Sequence, residues 1–454
     1  MPLSTSHFTR FMRQSFNDDI ITQRLEKYGR FGVHLGLKRI QRLLSALGNP
    51  ETKVPVVHVA GTNGKGSVCA YVSSVLVQAG YRVGRYTSPH LVSWCERICI
   101  NSAAIAPEDL EKVLTYVEAA ISPDFETPTQ FEVITAAAWL YFAQQSVDIA
   151  VIEVGLGGRL DATNVIDEPL VSIITSLSRE HWQRLGPTLA DIAGEKAGIL
   201  KPHRPAVVGP LPAEAEQVVL SRAKTLDCPL IRPQPAVANA DGWAIYHSQG
   251  AGQGCLKYQV PFAGAHQLIN SAIAIAALEI LRTQGWQITD QAIQEGIAQA
   301  RWPGRLQWLS WRAPNGQIYR WLIDGAHNPA AAKVLRDYVN TIAPTSVTWL
   351  MGMLTTKDHA DVLGELLDSG DRLHLVPVPG HSSMPPEALQ KIALSVCPDL
   401  ASCTPHTTLE EGLQSASAED SELNILCGSL YLVGHFFKLK QLANSRDRRR
   451  DNFK

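Results

Sequence analysis

The run His58-Val-Ala-Gly-Thr-Asn-Gly-Lys-Gly-Ser67 carries the groups that hold phosphate: amides exposed by glycines, a lysine and a hydroxyl. It departs twice from the common phosphate-loop pattern G-x-x-x-x-G-K-[ST]. Val59 stands at the first glycine position, and Gly66 separates Lys65 from Ser67. The apolar run before it and the amphipathic run after it predict a strand, a loop and a helix. Amides at a helix N-terminus favour anions. Lys65 would then be a point charge on the β- and γ-phosphates, and Ser67 a phosphate or metal contact. The competing description is a glycine-rich turn with an exposed lysine.

Further groups fall at comparable places. "EVGLGGRLDATN" (153–164) closes an apolar run with Glu153 at its C-terminal edge. Ligands of open α/β sheets gather beyond such edges. A carboxylate beside a triphosphate needs a cation between them, so Glu153 is a candidate magnesium ligand. His181 follows "PLVSIITSL" to the same edge, with a structural histidine as the alternative. Thr188 and Asp191 have capping-box spacing, so a helix should start near Leu189. Leu189, Ile192, Ala193 and Lys196 then share one face. Lys196 points inward, where desolvation lowers an amine's pKa. Such an amine is a candidate base, nucleophile or acceptor of CO2; a packed stem with its head in water is the alternative.

"DGAHNP" (324–329) occupies a strand-to-helix turn. Asp324 and His327 there either meet a nucleotide or second substrate, or cap a helix beginning at Pro329. Arg305 lies in "RWPGRL" (301–306), where Pro and Gly interrupt the pattern. A permanent charge at such a junction can move between solvent and phosphate as domains close.

These residues need a scaffold. Short apolar runs at 54–60, 83–88, 147–156 and 169–177 alternate with helical stretches, which predicts a parallel sheet covered on both faces. "HQLINSAIAIAALEILRTQG" predicts a long closing helix, and "YRWLIDGAHN", "SVTWLMGML", "RLHLVPVP" and "LNILCGSLYL" predict a smaller α/β domain. The expected division is 1–300, a hinge at 301–306, a second domain at 307–445, and a solvated, disordered basic tail at 446–454. At 454 residues the chain exceeds one ordinary domain. A net charge of −2 argues against nucleic-acid and membrane surfaces. Eight cysteines without C-x-x-C spacing are expected to be reduced thiols. The first residues lack an apolar leader region, so a cytoplasmic protein is expected.

Taken together, "FGVHLGLKRIQRLLSALGNP", "HVAGTNGKGSV", "YTSPHL", "TQFEVITAAAW", "EVGLGGRLDATN", "EKAGILK", "HQLINSAIA", "WPGR", "DGAHNP" and "GSLYLVG" resemble folylpolyglutamate synthases and the bifunctional dihydrofolate synthase/folylpolyglutamate synthases, ATP-dependent ligases of the Mur type. G-T-N-G-K-G-[ST] is that family's form of the loop. The resemblance implies that Gly64, Lys65, Gly66, Ser67, Asn270, Arg305 and Asp324 bind ATP. It implies that Ser88 and Glu153 hold one Mg2+ and His181 a second, with K+ as a further candidate. Lys196 matches a lysine carried as a carbamate. Thr129, Gln130, Phe131 and Glu132, with Leu160, Asp161 and Ala162, match segments lining the pteroate site. His327 and Ser429 match positions near the incoming glutamate.

The implied substrates are ATP, L-glutamate, and dihydropteroate or reduced folates, acted on by a monomer through an acyl phosphate. Closure about 301–306 would exclude water from that intermediate. One departure is visible: Glu180 precedes His181 where the family commonly has Asp. Whether both glutamylations occur stays open. An NTPase switch is the alternative from another class. A cell-wall Mur ligase would call for a further N-terminal domain.

Overall fold

The computed structural model describes residues 19–29, 35–248, 254–313, 316–419 and 421–451, with side chains as far as Gln441. The expected absence of a leader falls on residues 1–18, which lie outside the described residues, as do the first four of "FGVHLGLKRI". The chain divides into two compact units, Met1–Pro261 with Gln267–Arg301, and Phe262–His266 with Trp302–Lys454. Among the described residues no helix is long and apolar enough to cross a membrane.

The first unit is built on eight strands: β1 Val56–Ala60, β2 Val83–Tyr86, β3 Ile98–Ile100, β4 Ala103–Ala104, β5 Ile149–Glu153, β6 Val171–Ile174, β7 Ala206–Val208 and β8 Leu230–Ile231. Their order is β4-β3-β2-β5-β1-β6-β7-β8. β2, β5, β1, β6, β7 and β8 run parallel. β3 and β4 add an antiparallel edge that the alternating pattern does not foretell. Every residue of β1, β5 and β6 is buried, which is why these strands read as continuous apolar runs rather than alternating ones.

The helix Lys65–Gln78 follows the loop and ends before Gly80, whose φ of +93° suits a residue without Cβ. Expected to be amphipathic, it is instead buried on nearly every side, from Ser67 through Ser73 and at Val75 and Leu76. The helix Asp290–Gln299 covers its outer face. Close approach is possible because residue 296 is glycine: a Cβ there would lie 2.4 Å from the Val75 Cα. A separate antiparallel sheet, β9 Val237–Ala238, β10 Ala244–His247 and β11 Cys255–Tyr258, is also outside the parallel expectation. Its strands are short and half exposed, with no apolar run to announce them.

The second unit has β12 Gln307–Arg312, β13 Ile318–Ile323, β14 Val347–Met351, β15 Arg372–Leu375, β16 Ser402–Pro405 and β17 Leu423–Cys427, ordered β12-β13-β17-β14-β15-β16. Only β12 is antiparallel to its neighbour. Leu322, Trp349, Leu373 and Ile425 fill its core. The last helix runs Leu430–Asp451, so the backbone continues as helix through most of the segment expected to be a disordered tail. Arginine is a good helix former, and extension of an existing helix avoids the nucleation penalty. All eight cysteines are free thiols.

Candidate active site

The sheet register assembles the site. Val59 pairs with Glu153, Tyr86 with Ile152, and Ala60 with Ile174. The C-terminal ends of β2, β5, β1 and β6 therefore lie side by side, and Ser88, Glu153, the loop from Gly61 and the segment Thr175–Ser178 all leave one edge. That edge is where open α/β sheets bind ligands.

The loop is fastened to the segment after β6. The amide of Thr62 donates to the Ser176 carbonyl at 2.7 Å, and the Asn63 amide donates to Ser176 Oγ at 3.1 Å. Thr175 and Ser176 return hydroxyl protons to the Asn63 carbonyl at 2.7 and 2.9 Å. A Cβ at Gly61 would sit 2.0 Å from Thr175 Oγ1. Gly64, at φ +87°, caps the helix Lys65–Gln78, and a Cβ there would meet Asn270 Oδ1 at 2.5 Å. Backbone amides are thus brought forward by glycines that no side chain can replace without displacement.

Two lysines converge on the loop. Lys65 Nζ donates to the Gly61 and Thr62 carbonyls, both at 3.0 Å. Lys196 Nζ donates to the same Gly61 carbonyl at 2.8 Å. The helix that carries Lys196 spans Leu189–Ala197, and its Thr188/Asp191 capping box is formed in both directions. Lys196 is 6% exposed, its stem packed beside Ile192 and Ala193 in the helix's buried face. Burial first, then the charge of Lys65, bring its amine down to about 7, against the opposing carboxylates of Glu180 and Asp161. The inward orientation derived from spacing is therefore what the fold adopts, not a head reaching water.

Glu153 is buried, and the Ser88 amide donates to its Oε2 at 3.2 Å. This pairing of a carboxylate with a neighbouring serine offers hard oxygen donors, which fit Mg2+ completed by phosphate and water. Among the described residues no three His, Cys, Asp or Glu side chains could by themselves hold a metal ion. His181 differs. It stands in left-handed conformation before the short helix Trp182–Leu185, 46% exposed, with Glu180 Oε1 at 3.8 Å.

The segments expected to line a pteroate site meet beside this edge. Thr129 and Glu132 form a capping box that starts the helix Gln130–Gln144. Phe131 packs where a Gly155 Cβ would be, 2.3 Å from its Cζ, and faces Tyr86 at 6.2 Å between ring centroids. Gln130 Nε2 is a buried donor without an acceptor among the described residues, a group suited to a ligand's oxygen or nitrogen. Two of the expected residues also hold donors of the protein itself. Glu132 receives Arg39 Nε on both oxygens at 3.1 Å. Asp161 accepts the Leu156 and Thr163 amides at 2.8 and 3.0 Å and the Thr163 hydroxyl at 2.6 Å. Both carboxylates shape their segments, in which Leu160 and Ala162 are the apolar members.

In the second unit, Asp324 accepts the amides of Leu306 at 2.8 Å and Ala326 at 2.7 Å. It thus ties the end of "RWPGRL" to the turn after β13. Arg305 stands beside it: a Cβ at Gly325 would be 3.0 Å from Arg305 Nη1. His327 Nδ1 lies 2.7 Å from the Gly325 carbonyl. Neither caps the helix Pro329–Ile342; Asn328 does, its side chain accepting the Ala331 amide at 2.9 Å. Ser429 is buried and accepts the Tyr431 amide at 3.2 Å, opening the last helix.

Comparison with known proteins gives the family. Residues 59–278 match the Mur ligase middle domain and residues 307–439 the dihydrofolate synthetase C-terminal domain. A probable dihydrofolate synthetase of Schizosaccharomyces pombe is 37% identical over 90% of this chain and 99% of its own length. The dihydrofolate synthase/folylpolyglutamate synthase of Bacillus subtilis is 35% identical over 76% and 81%. A Mycobacterium tuberculosis folylpolyglutamate synthase, solved with ADP and AMPPCP, superposes with a TM-score of 0.82 at 30% identity, covering 94% of this chain and 98% of that one. The chain belongs to the dihydrofolate synthase/folylpolyglutamate synthase family.

It is accordingly an ATP-dependent ligase of folate metabolism. Within this family member, spacing alone did not single out Arg39, Tyr71, Thr175, Ser176 or Gln267. Arg39 reaches Glu132, Thr175 and Ser176 hold the loop at Asn63, Gln267 reaches Ser67 and Asn270, and Tyr71 meets Gln267.

Proposed function

We propose that this ligase joins the amino group of L-glutamate to dihydropteroate and to the γ-carboxylate of folates already carrying glutamate. The observation that carries the reading is the convergence of Lys65 and Lys196 on the Gly61 carbonyl beside the Ser88–Glu153 pair. A phosphate loop, an oxygen-donor pair and a buried amine on one sheet edge suit phosphoryl transfer to a carboxylate.

The substrate carboxylate oxygen attacks the γ-phosphorus, and the bond to the bridging oxygen breaks, giving an acyl phosphate and ADP. Loop amides and Lys65 stabilise the charge that develops on the transferring group. Lys65 must first leave the Gly61 and Thr62 carbonyls, so nucleotide binding exchanges loop contacts for phosphate contacts. Magnesium held by Ser88 and Glu153 would neutralise further charge there. Glutamate's amine then attacks the acyl carbon, and inorganic phosphate departs as the amine loses its proton.

A carbamate on Lys196 would turn a buried donor into an oxygen acceptor beside the loop. The buried amine supports this, since CO2 combines with the neutral form. Gln130 supports a pteroate contact at 129–132. Arg305 and Asp324 are assigned to the nucleotide, and His327 and Ser429 to glutamate, on the resemblance alone. His181 is assigned to a second Mg2+ on the resemblance, and the Glu180 carboxylate 3.8 Å away is the oxygen donor beside it.

The test is ADP release by the purified chain. It should require glutamate together with dihydropteroate or a monoglutamyl tetrahydrofolate, assayed separately. ATP turnover indifferent to all of these would overturn the reading.

A further inference from the structure

We propose that Gln267 is a positioning residue of the nucleotide site, aiming the Ser67 hydroxyl and holding Asn270 against Gly64. The inference rests on the reading of Gly61–Ser67 as a phosphate loop.

Gln267 lies in the first turn of the helix His266–Thr283 and is 1% exposed. Asn270 is three residues further on, hence on the same face. Asn270 Nδ2 donates to Gln267 Oε1 at 3.1 Å, and the Tyr71 hydroxyl approaches the same oxygen at 3.4 Å. Two donors on the oxygen end turn the amide nitrogen the other way. Gln267 Nε2 accordingly donates to Ser67 Oγ at 3.3 Å.

A serine hydroxyl has one proton to give and two lone pairs. With one lone pair engaged by Gln267, the proton and the other lone pair are left for the loop side. Ser67 is thereby prepared to donate to a phosphate oxygen or to offer its oxygen to a cation. The same carboxamide holds Asn270, whose Oδ1 occupies the space above Gly64. One buried side chain thus connects the loop glycine, the loop hydroxyl and the late helix. A purely structural glutamine would fill this volume without needing its nitrogen toward Ser67.

The test uses Gln267→Glu, which keeps the shape but replaces the donor by an acceptor, so that Ser67 would turn its proton toward residue 267. Gln267→Leu removes both ends. Each is measured for kcat and for KM of ATP in the wild-type and Ser67→Ala backgrounds, with melting temperature as a check on folding. The expected result is a loss in kcat on the order of tenfold for Gln267→Glu, the size of one misdirected buried hydrogen bond. That loss should shrink to about twofold or less when Ser67 is already alanine, because the residues act as a unit. Equal losses in both backgrounds, or an unchanged kcat, would overturn the proposal, and Gln267→Glu decides alone if Gln267→Leu does not fold. A Ser67→Ala enzyme with wild-type use of ATP would overturn the phosphate-loop reading instead.

Discussion

Lys65 and Lys196 donate to one oxygen, the carbonyl of Gly61, at 3.0 and 2.8 Å. Burial disfavours the charged form of the Lys196 amine, and the nearby charge of Lys65 adds to the effect. Lys196 is held at about 7, against 10.5 for a free side chain. Its depressed value has consequences for stability as well as for chemistry.

Between those two values the unfolded chain binds more protons than the folded one. Stability therefore rises with pH across the window, and the penalty is complete below about 7. In protein kept free of CO2, Lys196→Met should flatten this part of the curve and stabilise the fold most at low pH. Denaturant unfolding of both proteins across that window checks the sign. Turnover of Lys196→Met should fall by about 100-fold or more, the scale of a lost electrostatic contributor.

Gly64→Ala meets two obstacles, a φ of +87° and Asn270 Oδ1 at 2.5 Å from the new Cβ. The backbone strain costs about 1–2 kcal/mol. Asn270→Ala should relieve the collision but not the strain, so the double variant recovers only part of the lost melting temperature. Calorimetry of the single and double variants separates the two contributions.

Arg39 and Glu132 form an ion pair, 11% and 3% exposed, that joins the helix Lys38–Ala46 to the first turn of Gln130–Gln144. Arg39→Met leaves a buried carboxylate, with an expected cost of about 3–5 kcal/mol. Arg39→Met with Glu132→Gln should cost less than the single change. Because Gln130 and Phe131 sit on that same turn, Arg39→Met should also raise KM for the pteroyl substrate more than KM for ATP. Steady-state kinetics near room temperature measures the split.

His58, fully buried in β1, has its pKa lowered to about 3 by burial and by the charge of Lys201. Thr163 Oγ1 gives its proton to Asp161 at 2.6 Å, so His58 Nε2 is the donor in its 2.9 Å contact with that hydroxyl. The folded state refuses a proton that the unfolded chain takes below 6.5, so stability is lost as pH falls through the range from 6.5 to about 3. His58→Asn should shift the acid-unfolding midpoint to lower pH, as followed by circular dichroism, even if it weakens the fold at neutral pH.

Much of the site was legible because its signals are local. A capping box three residues wide located the helix of Lys196, and a 3.6-residue period turned that lysine inward. Gly64 and Lys65 announced a loop between a strand and a helix. The antiparallel β9–β11 sheet was not legible, since half-exposed short strands leave no apolar run. Nor was the helix cap at Asn328, where Asp324 and His327 were equally plausible neighbours.

By itself, the sequence determined the apolar strands of the parallel sheets, the helices that follow them, and which side chains have the chemistry for phosphate, cation and carboxylate. Those properties depend on residues a few positions apart. Only the tertiary structure decided how those side chains are spent. Asp161 and Glu132, matched by resemblance to segments lining a pteroate site, also give oxygens to the protein's own amides and to Arg39. Gln267, read only as part of a helix, turns out to touch Ser67 across 200 residues of chain. A buried polar group must find a partner wherever the fold brings one within reach, and that partner is set by sheet order and helix packing rather than by distance along the chain.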